Sequence, residues 1–326
     1  MIISKTPFRM SFSGGGSDLP SFYERSPGAV LSVTINKYVY ITVNDKFDRN
    51  IRLSYSETEN VATVEMIRHP IVREALKMLN IPGGMEITSI ADIPSKGTGL
   101  GSSSSFTTGL LNALHVYKKE FASPEMLAQE ACEIEINIME KPIGKQDQYA
   151  AAYGGLNLIQ FHEDGSVSVD PIICLKETRK SLEKNILMFY TGVSRSAEII
   201  LGEQNQNIIS DHKKYEILKN MVQLTHLLRK ELQNNNLNAF GEILHENWLL
   251  KRELASGISN PSIDEWYETG RKYGALGGKI LGAGGGGFLI FYAPQEKHEQ
   301  IIRMLPQLRP IPFQFEYQGC KIIFIH

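Results

Sequence analysis

Apolar and polar residues alternate along Ile2–Ser13 and again along Met85–Ala91, the two-residue period of a strand with one face covered. Ala29–Val43 is rich in Val, Ile, Tyr and Thr and predicts one long strand or a tight pair; Ile51–Tyr55 adds another. Leu156–Phe161 and Val167–Ile173 read as a hairpin turning at His162–Gly165. Ile186–Tyr190 and Phe288–Tyr292 are short apolar strands, and Ile311–Ile325 supplies edge strands. Elsewhere the spacing is helical. His69–Leu79 is a short amphipathic helix, and Phe106–Lys119 carries Leu110, Leu111, Leu114 and Tyr117 at helical intervals. Ser123–Met139 is a further helix, with Ser123 a fitting N-cap and Pro124 at the first helical position. The second half opens helical, with Asp211–Gln233, Leu237–Leu254 and Ser262–Tyr273, and Gln295–Met304 follows. The polar run Lys180–Lys184 marks a soft boundary between units 1–182 and 183–326.

A chain of 326 residues holds one large or two ordinary domains with sizeable cores. The net charge of −2 gives no bulk electrostatic case for nucleic acid or an acidic membrane. No apolar run approaches the roughly 18 residues that span a bilayer. The start, MIISKTPFRM, lacks the apolar core of a secretory signal. Cys132, Cys174 and Cys320 are scattered and odd in number, which suits a reducing compartment and offers no metal-site spacing. The expectation is a cytoplasmic protein with no nucleic-acid or membrane partner.

Three glycine-rich stretches carry the candidate chemistry. Pro94–Ser105, PSKGTGLGSSSS, lies between the Met85–Ala91 strand and the Phe106–Lys119 helix. Gly97, Gly99 and Gly101 allow a sharp turn and a close approach to a ligand. Ser102–Ser105 offers capping hydroxyls and free amides at the positive end of the helix dipole, a seat for a polyphosphate. It is neither GxxxxGK[ST] nor GxGxxG, and a loop whose glycines only turn the chain is the competing reading. Gly14-Gly15-Gly16-Ser17-Asp18 ends the first strand; Asp18 either stabilises the turn or accepts hydrogen bonds from sugar hydroxyls. Arg9, inside that strand, reads by itself as an edge-face charge. Asp147, in GKQDQYAAAYGG (Gly144–Gly155), is either a helix N-cap or a site carboxylate. Glu130, Glu133, Glu135 and Glu140 read mostly as a solvated acidic face.

Taken together, the three stretches resemble the GHMP kinases: galactokinase, homoserine kinase, mevalonate kinase and phosphomevalonate kinase. The first motif is Thr6-Pro7-Phe8-Arg9 through Asp18. The second is Pro94 through Ser105, similar to the family's P-x-x-x-G-L-G-S-S with one extra residue, Thr98 or a neighbour. The third is Lys279 through Gly287, KILGAGGGG. GGGSDLPSFY (Gly14–Tyr23), GKQDQYAAAYGG and YTGVSRSA (Tyr190–Ala197) are similar to the bacterial kinases of D-glycero-D-manno-heptose 7-phosphate. Those phosphorylate the anomeric hydroxyl on the route to nucleotide-activated heptose for surface polysaccharide. Fucokinases share much of the pattern.

The resemblance implies an α+β fold, with an N-terminal domain like ribosomal protein S5 domain 2, a ferredoxin-like C-terminal domain and an active site between them. It implies ATP and Mg²⁺, a sugar phosphate acceptor, and room for a homodimer. ATP would be held by Pro94, Lys96, Gly97, Gly99, Leu100, Gly101, Ser102, Ser103 and Ser104. Ser103 and Glu135 would hold the metal. The spacing from Glu135 to Asp147 is one residue longer than in mevalonate kinases, which keeps Glu133 open. Asp147 would be the catalytic base and Arg9 the cation beside it. The acceptor would lie against Gly15, Gly16, Ser17, Asp18, Gly284 and Gly285. Arg195, flanked by Ser194 and Ser196, would meet the phosphate the acceptor carries, with Arg25 and Lys96 as alternatives. A free-sugar 1-kinase of the fucokinase or galactokinase type is the alternative enzyme. A non-catalytic sugar- or nucleotide-binding protein is the reading of another class.

Overall fold

The computed structural model describes residues 1–94, 97–193 and 196–326. In chain order the first part runs β1 (Ile2–Ser13), α1 (Pro20–Tyr23), β2 (Gly28–Asp45), β3 (Ile51–Ser54), β4 (Thr58–Val61), α2 (Pro70–Met78), β5 (Met85–Ala91), α3 (Ser102–Tyr117), α4 (Pro124–Cys132), α5 (Gln146–Tyr153), β6 (Leu156–Phe161) and β7 (Val167–Pro171). The second part runs α6 (Lys176–Lys184), β8 (Ile186–Tyr190), α7 (Ala197–Ser210), α8 (His212–Gln233), α9 (Phe240–Arg252), α10 (Pro261–Lys272), β9 (Gly277–Ile280), β10 (Phe288–Tyr292), α11 (Gln295–Met304), β11 (Arg309–Pro310), β12 (Phe315–Glu316) and β13 (Lys321–Ile325).

β2 is one strand of 18 residues and the spine of the larger sheet. Its length lets it serve several partners. It pairs antiparallel with β1 along most of its course, with β6 near its start and with β5 near its end. The register between β1 and β2 shifts between Pro7 and Phe8 and again between Ser11 and Ser13. Bulges of this kind re-aim side chains. These two bracket Arg9, which is 4% exposed and is therefore not the edge-face charge that the residue type suggests.

The smaller sheet is antiparallel, in the order β11-β8-β10-β9. β12 and β13 return to the larger sheet, where β13 pairs with β1 and β12 with β2. The two sheets share one apolar core. Phe12 of β1 meets Phe240 of α9 edge-on, with ring centroids 5.3 Å apart. Behind it, Trp248, Tyr267 and Phe291 are fully buried. A ring edge set against a ring face is a favoured aromatic geometry and burying such side chains dominates core energetics.

Several stretches differ from the hydrophobic pattern, among them the helix α7. Lys176–Lys184, around the expected polar boundary, is a helix that buries only Thr178 and Leu182. Gly277–Ile280 is a strand that runs into the third glycine stretch; a Cβ on Gly277 would lie 2.0 Å from the Gly241 carbonyl, so helix and strand touch backbone to backbone. The helix expected over Ser123–Met139 keeps its start, where Ser123 accepts from the Met126 amide, but gives way to a π-helical turn at Glu133–Ile138.

Candidate active site

The central loop leads from β5 into α3. Gly101 is the N-cap residue, in the left-handed region at φ +74°, and no side chain caps the helix. Two of the four serine hydroxyls offered as caps are engaged elsewhere: Ser105 donates to the Pro7 carbonyl and Ser103 to Glu135. The first-turn amides of a helix have no intrahelical acceptor, and here they stand at its positive end. The loop is pressed on by the third glycine stretch. A Cβ on Gly99 would lie 2.2 Å from the Leu281 carbonyl.

Arg9 grips Asp147 with two N–H groups, Nε to Oδ1 at 2.7 Å and Nη2 to Oδ2 at 2.8 Å. Its remaining nitrogen, Nη1, donates to the Gly99 carbonyl at 2.5 Å. Asp147 lies in the first turn of α5, where Lys145 holds the N-cap position, so Asp147 is not the cap. Its side chain is 23% exposed against 5% for Arg9, which leaves the carboxylate reachable. A Cβ on Gly101 would stand 3.2 Å from Asp147 Oδ2. The central loop and the carboxylate are therefore in contact. Desolvation in the cleft pushes the Asp147 carboxyl above its usual value, Arg9 pulls it down, and the charges of Asp18 and Glu135 add to the rise.

Glu135 is fully buried, and it touches Ser103. Gln148 donates to its other oxygen at 2.9 Å. Lys141 brings its ammonium to 3.2 Å from the Ser103 hydroxyl. Glu133 is exposed and binds Asn137. The Met139 amide donates to the Ile134 carbonyl, a bond across five residues. That wide turn absorbs one extra residue and faces Glu135, not Glu133, toward Ser103. Among the described residues no group of three His, Cys, Asp or Glu side chains could hold a metal ion. One hydroxyl, one carboxylate and an ammonium drawn to them nevertheless suit a hard cation that keeps waters and phosphate oxygens as its other ligands.

Ser103 and Lys141 open on a cavity of about 1230 Å³, and Glu135 lies behind its wall. Arg9, Gly15, Gly16, Asp18 and Asp147 line it, as do Gly97, Gly99, Gly101 and Ser102–Ser104 of the loop. Asp18 is tied into the wall, accepting from the Gly16 amide at 2.8 Å and from Gln146 Nε2 at 3.0 Å. Ser17 is turned away, its hydroxyl donating to Gly14 and Ala29. Leu100 is buried under the loop. Pro94, Gly284 and Gly285 do not line the cavity, whereas Gly282 and Ala283 do. Arg25 packs over the Tyr215 ring instead. Lys96 and Arg195 lie outside the described residues. The sequence did not single out Lys141, Gln146, Lys251 or Lys279, all of which line the cavity. Gln146 and Lys279 each lie within a motif, and that was the available signal.

The GHMP kinase N-terminal domain family matches residues 65–155 and the GHMP kinase C-terminal family matches residues 228–309, together more than half of the chain. The chain belongs to the GHMP kinases. Its α+β architecture is the fold of that family. It is 27% identical over 337 residues to a D-glycero-alpha-D-manno-heptose 7-phosphate kinase of Campylobacter jejuni, with 98% of each chain covered. It is 25% identical to a galactokinase of Pyrococcus furiosus, covering 92% of this chain and 91% of that one. A solved D-glycero-D-manno-heptose 1-phosphate kinase of Bacteroides thetaiotaomicron superposes with a TM-score of 0.82, at 24% identity over 100% of both chains. This GHMP-family chain is thus a sugar kinase, a phosphotransferase, and the family takes ATP as donor, generally with Mg²⁺. No helix among the described residues is long and apolar enough to cross a membrane.

Proposed function

We propose that this chain transfers a phosphoryl group from ATP to the anomeric hydroxyl of D-glycero-D-manno-heptose 7-phosphate, giving the 1,7-bisphosphate for nucleotide-heptose and surface-polysaccharide synthesis. The observation that carries the reading is the Arg9–Asp147 pair held against Gly101 of the helix-capping loop. A carboxylate beside the uncapped amides of a helix start supports the reading. Similarity to the Campylobacter jejuni kinase along 98% of both chains supports the acceptor.

In this reading the loop residues 97–104 and the first-turn amides of α3 hold the triphosphate. Ser103 and Glu135 would hold Mg²⁺, which neutralises phosphate charge when bound. Asp147 accepts the proton of the sugar's O1. The bond from O1 to the γ-phosphorus forms, the bond from that phosphorus to the bridging oxygen breaks, and ADP leaves. Arg9 aims Asp147 and occupies two of its lone-pair directions, leaving others for the proton. Gly15, Gly16 and Asp18 form the acceptor wall. Residues 1–182, joined by the returning strands β12 and β13, would carry these groups, and the rest of 183–326 would close over them.

The test is turnover with ATP and Mg²⁺ on D-glycero-D-manno-heptose 7-phosphate, the free heptose, L-fucose and D-galactose. The expected result is the highest kcat/KM on the heptose phosphate, with the product phosphorylated at O1. Higher kcat/KM on a free sugar would make the enzyme a free-sugar 1-kinase. No turnover on any of them would favour a binding protein.

A further inference from the structure

Two buried lysines stand on the acceptor side of the cavity. Lys251, on α9, is 4% exposed and donates to the Gly15 carbonyl at 3.0 Å and to Gln204 Oε1 at 2.7 Å. Lys279, on β9, is 3% exposed and lines the same cavity. Among the described residues it has no hydrogen-bond acceptor and no carboxylate partner. The charges that bear on it are those of Lys251 and Arg9, both of its own sign. Arg9 is matched by Asp147 and Lys141 by Glu135. Asp18 is the carboxylate that acts on Lys251, and its oxygens are already engaged by Gly16 and Gln146. An ammonium largely withdrawn from water, with no protein acceptor, favours an anion in the cavity it faces. Beside Gly15, the hydroxyl of Ser11 also lines the cavity, buried and without a partner.

We propose that Lys279, Lys251 and Ser11 form a seat for a phosphoryl group that the acceptor already carries before the transfer. This rests on the kinase reading and assigns the acceptor to the sugar phosphates. The seat holds to the first glycine stretch through Lys251 and Gly15, whereas the nucleotide side is defined by α3, Ser103 and Lys141. An acceptor phosphate brings about two negative charges into the cleft. Two ammonium groups and a hydroxyl supply the counter-charge and donors. The protonation of the lysines agrees with such a role. Burial, with the charges of Lys251 and Arg9, lowers Lys279 to about 7, and burial lowers Lys251 to about 8. An anion seated between them would raise both.

Steady-state kinetics of Lys279→Met and Lys279→Arg test this. Lys279→Met is expected to raise KM for D-glycero-D-manno-heptose 7-phosphate at least about tenfold, the scale of one charge-assisted contact. KM for ATP should move less than about twofold, and Lys279→Arg should recover part of the loss. An unchanged KM for the sugar phosphate overturns the seat. So does a loss confined to ATP, which would give the lysine to the nucleotide. If the heptose phosphate is not turned over at all, the seat is still read by calorimetry with inorganic phosphate on enzyme saturated with Mg²⁺ and a non-hydrolysable ATP analogue. Wild type should bind phosphate at least about tenfold more tightly than Lys279→Met. Equal binding, or none to wild type, overturns the seat whatever the sugar. Thermal unfolding of each variant checks that it folds.

Discussion

Lys141 places its ammonium 3.4 Å from the fully buried carboxylate of Glu135. A cation thus already occupies the ground beside Ser103 where a metal would be held. Lys141→Met removes a competitor, so the Mg²⁺ needed for half-maximal binding of an ATP analogue should fall. Glu135→Ala should raise it at least about tenfold, the scale on which supporting groups change metal affinity. Glu133→Ala should leave it in place, since that side chain is exposed. Fluorescence titration of Mg²⁺ reads all three, and a rise for Glu133→Ala alone would move the ligand there.

Asp147→Asn keeps the shape of the carboxylate and removes its capacity to take a proton. Loss of a general base costs about 10²–10⁴-fold in rate. The variant should fall in that range while binding an ATP analogue as wild type does. Retention of more than about a third of the rate would show that another group is the base.

The pH profile follows from the same pair. Desolvation holds the Asp147 carboxyl above its ordinary 3.8 and Arg9 opposes that rise. A base works ionised, so kcat/KM should fall as pH drops through this raised value. In Arg9→Met the opposing pull is gone, and the acid limb should move to higher pH. A limb that stays where it was, or moves down, would mean that it belongs to another group.

His115 is buried between Glu130, at 2.7 Å from Nε2, and Glu120, at 3.2 Å from Nδ1. The bond to Glu130 is the main cause that holds the imidazole above its ordinary 6.5, with burial opposing. A raised value in the folded chain means stabilisation that is complete below about 6.5 and is lost as pH rises through the folded value. The difference in unfolding free energy between wild type and His115→Gln should therefore narrow from pH 6 to pH 9. Denaturant unfolding at the two pH values measures it, and a constant or widening gap would contradict the charged pair.

Much of this was legible along the chain. Leu156–Phe161, Ile186–Tyr190 and Phe288–Tyr292 have the bounds the apolar runs predict, because turn-forming or polar residues flank each run. The glycine stretches announced a closely packed turn, and the central one lines the cavity. Other features left no trace. A nine-residue helix with two buried positions, α6, looks like a charged linker. The extra residue of the π-helical turn makes no sequence pattern, so Glu133 and Glu135 could not be separated. Buried lysines are rare, and nothing in the residue pattern marks Lys251 or Lys279 as buried before α9 and β9 bring them to one cavity.

Where the central loop meets the third glycine stretch, main chain rests on main chain at Gly99 and Leu281. With no side chain between them the two main chains have no slack to share: a substituent as small as a methyl group at Gly99 would stand 2.2 Å from the Leu281 carbonyl and act as a wedge.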